Sequence, residues 1–243
     1  MRIPPVRDIL IAGVFVLIVV ALGAAAVWTW REFMTSAPYV DPERYPVRGI
    51  DVSAHNGYIN FRKVASAGYE FVFIKASEGE DFQDRNFLIN YYSSGNAGLK
   101  RGAYHFFRFD KDGVDQAVNF VNTIKQRPLE LGVAIDVESE GNPKGIAVEV
   151  IQERLQSMIE FLNLKGYRVM LYTNVKGYET YLLNVFAGLP LWICSFSSRP
   201  VDVDWTFWQY DHHGRVNGVK GDVDLDTFSG SREDWRKLCE EAP

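Results

Sequence analysis

The sequence predicts an α/β fold: an irregular β/α barrel of five β/α units followed by three β-strands, with one transmembrane helix ahead of it. Three observations carry this. From Arg48 onward, short apolar runs rich in β-branched residues alternate with amphipathic stretches, the pattern of a mostly parallel sheet with helices outside it. The first five runs are followed by helical patterns, and the last three by polar, Gly-containing connections too irregular for helices. Ahead of them all stands an uncharged apolar block of bilayer-spanning length. An open doubly wound sheet is the runner-up architecture.

Residues 1–8 form a short N-terminus, expected on the cytoplasmic side because Arg2 and Arg7 precede the apolar block. Residues 9–30 are the expected anchor, uncharged throughout and carrying Trp28 and Trp30 where interfacial aromatics belong. Ala24-Ala25-Ala26 offers a signal-peptidase site as the alternative, but the apolar stretch runs on past it, which favours an uncleaved segment. Residues 31–47, with Pro38, Pro42 and Pro46, read as an extended spacer, and residues 48–243 as one folded domain.

Within that domain, strands are expected at residues 49–53, 71–77, 102–107, 131–138, 168–174, 191–196, 206–210 and 223–228. Helices are expected at 60–67, at 85–97 before the Gly98 stop signal, and at 112–126 before Pro128. A further helix at 146–164 carries Val150, Ile151, Leu155, Met158, Ile159 and Leu162 in a 3.6-residue stripe, and a weaker one spans 175–187. Such an order of elements is that of an irregular TIM-like barrel.

Composition narrows the function. The 243 residues are 47% hydrophobic, enough for one large domain, and the net charge of −5 comes without a basic block. That balance argues against a nucleic-acid partner. Cys194 and Cys239 have no metal-ligand spacing, so no metal site is expected from them. The 12 Tyr, 16 Phe and 6 Trp suit flat, partly apolar ligands such as sugar rings, although aromatics also fill cores.

The polar residues fall at strand ends, where a parallel β/α barrel gathers its active site. Asp51 and Ser53 end the first strand, Lys75, Ser77 and Glu78 the second, and His105 the third. Asp136 and Glu138 end the fourth, Tyr172 and Asn174 the fifth, and Trp208, Gln209 and Tyr210 the seventh. The eighth carries Asp222, Asp224 and Asp226. Asp136 and Glu138 share a face at period two, and two such acids at the end of a buried strand push their pKa values apart. No GxSxG elbow, Walker A loop, GxGxxG fingerprint or HExxH helix is present. Several acids could bind Mg²⁺ or Ca²⁺ in a phosphodiesterase, but acids beside Trp and Tyr fit glycoside hydrolysis better.

The ordered motifs resemble the family 25 glycoside hydrolases, lysozymes that act as N-acetylmuramidases. They are Gly49-Ile50-Asp51-Val52-Ser53, Phe73-Ile74-Lys75-Ala76-Ser77-Glu78-Gly79, Gly102-Ala103-Tyr104-His105-Phe106 and Asp136-Val137-Glu138. Leu171-Tyr172-Thr173-Asn174, Leu191-Trp192-Ile193, Trp208-Gln209-Tyr210 and Val223-Asp224-Leu225 follow in order, so the resemblance covers nearly the whole of 48–228. It implies hydrolysis of the β-1,4 bond between N-acetylmuramic acid and N-acetylglucosamine in peptidoglycan, without cofactor or metal. Glu138 would be the general acid and Asp136 its stabilising or orienting partner, with Asp51 and Asp224 completing an acidic floor. Tyr104, His105, Tyr172, Trp208, Glu78 and Gln209 would bind the substrate. Retention of anomeric configuration is implied, with the substrate's own N-acetyl group as nucleophile. Asp226 departs from the family, which often has Asn there. Together with the lipid bilayer as partner of residues 9–30, the resemblance implies a single-pass protein of the bacterial inner membrane whose catalytic domain lies on the periplasmic or extracytoplasmic side. A barrel that binds glycan but has lost turnover is the alternative.

Overall fold

A computed structural model of the chain describes residues 37–186 and 188–240, together with Val20 and Gly23. The expected membrane helix at 9–30 otherwise lies outside these residues. Among the described residues no helix is long and apolar enough to cross a membrane. The chain divides between Ala37 and Pro38, and the unit that follows holds the barrel.

Eight strands close that barrel: β1 (Arg48–Val52), β2 (Phe71–Glu78), β4 (Lys100–Phe106), β5 (Val133–Asp136), β6 (Val169–Asn174), β7 (Leu191–Cys194), β8 (Phe207–Gly214) and β9 (Val223–Phe228). A two-residue strand β3 (Phe82–Gln83) pairs with the end of β2 outside the ring. Neighbours from β1 through β8 run parallel, whereas β9 lies antiparallel between β8 and β1. The eighth barrel strand therefore presents its beginning, not its end, to the mouth, and Asp224 stands opposite Asp51.

Helices α1 (Phe61–Ser66), α2 (Phe87–Asn96), α3 (Gly113–Ile124) and α4 (Val148–Leu164) lie within a few residues of the expected spans. Asp112 caps α3, accepting from the amides of Val114 and Asp115. The expected helix at 175–187 is instead a short turn at Val175–Gly177 that widens into a π-helical turn at Tyr178–Leu182. A fifth helix, α5 (Arg232–Glu240), was not expected.

Period-two alternation along the strands produces two cores. Outward-facing residues such as Ile50, Val72, Ile74, Val133 and Ile135 pack under the helices. Inward-facing Phe71, Phe73, Trp192, Phe207 and Phe228 fill the barrel, and Trp235 of α5 packs against Phe71 and Phe228. These rings fit because glycines face them: a Cβ on Gly49 would stand 2.2 Å from the Phe71 ring, and one on Gly102 2.3 Å from the Phe73 ring.

Residues 38–47, expected as the end of a spacer, belong to the barrel unit. Tyr45 and Val47 are buried, and Tyr45 lies 5.5 Å from the Trp205 ring. The Val47 carbonyl accepts from the Phe228 amide at 3.0 Å and the Thr227 hydroxyl at 3.1 Å. Prolines that suggest an extended segment do not prevent apolar residues between them from finding a surface to cover.

Candidate active site

A cleft of about 390 Å³ opens at the end of the barrel where β1 to β8 finish and β9 begins. Asp51, Asp136, Glu138 and Asp224 line it, with Tyr104, Tyr172, Trp192 and Gln209 forming walls and floor. Lys75, Phe106, Cys194, Phe196 and His212 complete the lining.

The geometry is built strand by strand. On β5 the backbone runs past Asp136, with the Val137 amide donating to the Tyr172 carbonyl at 2.8 Å. Asn142 then holds the chain that carries Glu138: its Nδ2 donates to the carbonyls of Glu138 and Phe107 at 2.8 and 2.9 Å, and its Oδ1 accepts from the Phe109 amide. The Glu138 carboxylate is approached by Asn174 Nδ2 at 3.5 Å. Across the floor, Tyr172 OH donates to Gln209 Oε1 at 2.7 Å, and Gln209 Nε2 donates to Asp51 Oδ2 at 2.6 Å. Trp192 lies nearly parallel to the Phe73 ring, their centroids 4.3 Å apart, and meets Tyr172 edge-on at 4.4 Å.

Two local irregularities aim side chains. Lys75 follows Phe71 and Phe73 on the inward face of β2 and enters the cleft, where its Nζ bonds Glu78 Oε2 at 2.8 Å, and the bulge between Lys75 and Ser77 then turns Ser77 outward to His105. A register shift in β8 between Gln209 and Asp211 breaks the alternation, and His212 then lines the cleft beside Phe196, 4.2 Å between rings.

The electrostatics favour protonated acids. Burial raises Asp136 well above the usual carboxylate range, and repulsion from Glu138 adds to it while Lys75 opposes it. Asp136 Oδ1 is buried without a hydrogen-bond partner. Burial also raises Glu138, followed by repulsion from Glu140, against the bond from Asn174. Asp224 is pushed up to about 7 by burial, then by Asp211 and Glu138. Asp51 is raised by burial, then by Asp224 and Asp226, with the Gln209 bond opposing. Among the described residues no three His, Cys, Asp or Glu side chains converge as a metal site.

Of the residues expected to bind substrate, Tyr104, Tyr172 and Gln209 line the cleft. Glu78 stands at the rim, paired with Lys75 and 3.5 Å from Arg108. His105 and Trp208 are not on the cleft wall. His105 faces α3, bonded to Ser77 Oγ at 2.8 Å and Gln116 Oε1 at 3.3 Å, and burial lowers its pKa to about 3. Trp208 faces the outer layer, packed against Tyr45, Trp205 and Tyr210 with its Nε1 on the Ser195 carbonyl. Neighbouring strand residues point to opposite faces, so Tyr104 and His105, or Trp208 and Gln209, cannot both face inward. The same rule applied to β7 marks Trp192 and Cys194 as a shared face, and both line the cleft.

Acids and aromatic rings around a polar cleft at the mouth of such a barrel have the build of a glycoside hydrolase. A model of the glycosyl hydrolases family 25 matches residues 50–219, and the chain belongs to that family. An autolytic lysozyme of Clostridium acetobutylicum is 36% identical over 185 residues, 75% of this chain; the chain spans only 56% of that relative's length. Lysozyme M1 of Streptomyces globisporus is 35% identical over 76% of this chain and 68% of its own. A family 25 glycosyl hydrolase structure from Bacillus anthracis superposes with a TM-score of 0.75 at 32% identity, covering 83% of this chain and 96% of the other.

Proposed function

We propose that this chain is a muramidase that hydrolyses the β-1,4 bond between N-acetylmuramic acid and N-acetylglucosamine in peptidoglycan. Glu138 is the general acid: its raised pKa keeps a proton available, and its partial exposure lets it reach a leaving oxygen. Asp136, deeper and next to it, stabilises positive charge at the sugar carbon or orients the substrate's N-acetyl group. Asp51 and Asp224 complete the acidic floor. The observation that carries this reading is the pairing of Asp136 and Glu138 at one end of β5, inside a cleft walled by Tyr104, Tyr172 and Trp192. Residues 9–30 hold the protein in the bacterial inner membrane in a single pass, with the barrel on the extracytoplasmic side where peptidoglycan lies. The support for this is the uncharged apolar run with Arg2 and Arg7 before it and Trp28 and Trp30 after it.

Mass analysis of fragments released from purified peptidoglycan tests the reaction. A muramic acid reducing end is expected; an N-acetylglucosamine reducing end, or glycan binding without any release, excludes it. The two tryptophans separate cleft from scaffold. Trp192→Phe removes the indole N–H beneath the cleft and is expected to lower kcat/KM by about tenfold, the worth of one buried hydrogen bond. Trp208→Phe is expected to lower the melting temperature without changing kcat/KM, because its N–H serves only the Ser195 carbonyl. Steady-state kinetics on both variants checks this.

A further inference from the structure

Asn174 ends β6 at the mouth of the barrel, and the proposed reaction gives it no task. β5 and β6 run parallel with Asp136 beside Tyr172, and the two chains stay joined past the end of β5. The Val137 amide donates to the Tyr172 carbonyl at 2.8 Å, and Thr173 Oγ1 donates to the Val137 carbonyl at 2.6 Å. Glu138 and Asn174 follow that junction, and Asn174 Nδ2 lies 3.5 Å from Glu138 Oε1, the long end of a hydrogen bond. Bonds to a reacting group are often long in the free protein and tighten in the complex. The Asn174 amide has one orientation. Its Oδ1 accepts the Gly177 amide at 2.8 Å, capping the turn at Val175–Gly177, so Nδ2 is the atom left to face Glu138. That turn has no slack, because a Cβ on Gly177 would collide with Thr173 Oγ1. The main chain of Glu138 is held separately, by Asn142 on its carbonyl. A fixed N–H donor therefore faces one oxygen of a carboxyl group whose own backbone is fixed.

A protonated carboxyl group accepts through its carbonyl oxygen, so a donor at Oε1 leaves the proton on Oε2. As that proton passes to a leaving oxygen, negative charge develops on the carboxyl group. The bond from Asn174 then becomes charge-assisted, roughly twice as strong as one between neutral groups. Such a contact stabilises the transition state more than the resting acid, which raises kcat rather than lowering KM. We propose that Asn174 is a positioning residue that presents Glu138 with its proton on Oε2 and steadies the carboxylate as the proton leaves. The use made of that proton rests on the muramidase reading; the effect of the N–H on the proton affinity of Glu138 does not. Burial and then Glu140 raise the Glu138 pKa, and the bond from Asn174 opposes them. The other titratable groups about Glu138 are Asp136 on β5, Tyr172 on β6, Cys194 on β7, His212 on β8, Asp224 on β9 and Lys75 on β2. Substitution at Asn174 leaves all of them in place.

The test compares full-length wild type with Asn174→Ala and Asn174→Asp on purified peptidoglycan, from about pH 4 to pH 9. Aspartate keeps an oxygen for the Gly177 amide, so the turn keeps its cap, but it turns an oxygen instead of an N–H toward Glu138. In Asn174→Ala, kcat is expected to fall about tenfold while KM stays within about threefold. Loss of a donor to the ionised form raises the Glu138 pKa, so the alkaline limb of kcat should move to higher pH. Asn174→Asp should lose at least as much kcat and move the limb further, because a second carboxylate then faces the acid. A purely structural Asn174 would lower kcat and the melting temperature with the limb unmoved. A limb that stays in place or moves to lower pH therefore overturns the proposal, whatever happens to kcat. The Asp variant decides by itself where the Ala variant does not fold, and an Asp variant that does not fold also overturns it. If wild type releases no fragments, the muramidase reading falls. The Glu138 side-chain carboxyl is then titrated by carbon-13 NMR, its signal assigned by its absence from Glu138→Gln. A higher pKa in Asn174→Ala than in wild type supports the N–H contact, and equal values exclude it.

Discussion

Replacing Glu138 with Gln is expected to abolish fragment release from peptidoglycan, lowering kcat by about 10²- to 10⁴-fold, the usual worth of a general acid. Glutamine has nearly the same shape and can still meet Asn174, so the melting temperature should stay close to wild type and KM should change little. The loss then belongs to the chemical step. In the wild type, burial raises the Glu138 pKa, so the protonated form persists to higher pH than in a free glutamate. Activity should decline on the alkaline side as that proton is lost, and this decline should be missing from the residual activity of Glu138→Gln. Full turnover by the variant, measured as reducing ends, would remove Glu138 from the role of acid. Loss of turnover together with loss of folding would be uninformative about chemistry, which is why circular dichroism on the same preparation accompanies the kinetics.

Much of this was readable in the sequence, for physical reasons that also explain what was not. Strand–helix alternation marks the barrel because a strand buried on both faces must be almost continuously apolar, as at 131–135 and 191–194. The acids at strand ends stand out for the complementary reason: burying Asp51 or Asp136 costs stability that only a function repays. What stayed hidden depends on register. A bulge in β2 decides that Ser77 turns away from the cleft toward His105, and a shift in β8 decides that His212 lines it; neither leaves a mark in hydrophobic periodicity. The direction of β9 was equally hidden, since a strand pattern reads alike from both ends, and Asp226 was open between solvent and core until that direction was known. Other errors were avoidable. Tyr104 and His105 are neighbours, as are Trp208 and Gln209, and alternation alone requires one of each pair to turn away. Helix α5 is announced by Ser231 and Asp234, a capping box in which Asp234 Oδ2 accepts from the Ser231 amide at 2.9 Å and Ser231 Oγ accepts from the Asp234 amide at 3.2 Å. Asn142 carried no signal, because its value lies in tying the nearby Glu138 carbonyl to Phe107 and Phe109, more than thirty residues earlier in the chain.

Asp136→Asn is expected to move activity and stability in opposite directions. In the proposed reaction Asp136, as the partner of Glu138, would supply a negative charge or a directed acceptor beside the reacting sugar carbon. A neutral amide provides neither fully, and kcat should fall by about 10²- to 10³-fold, comparable to removing one preorganised electrostatic contact elsewhere. Stability should change the other way. Asp136 is buried, one of its oxygens has no partner, and burial followed by repulsion from Glu138 raises its pKa above the free value. Below about pH 4 both folded and unfolded chains hold the proton, and the carboxyl adds no pH dependence. As pH rises, the unfolded chain releases the proton first, so wild-type stability falls until the folded-state pKa is passed. The Asn variant has no such proton to lose. Its melting temperature should therefore match wild type most closely at low pH and exceed it increasingly toward neutrality. Parallel melting curves across this range would mean that Asp136 is ionised and well accommodated in the free protein. In that case the charge it brings to catalysis is already present before substrate arrives. Divergent curves would mean that wild type retains a destabilised acid because turnover needs it, and the kinetic loss in the same variant would measure what that retention returns.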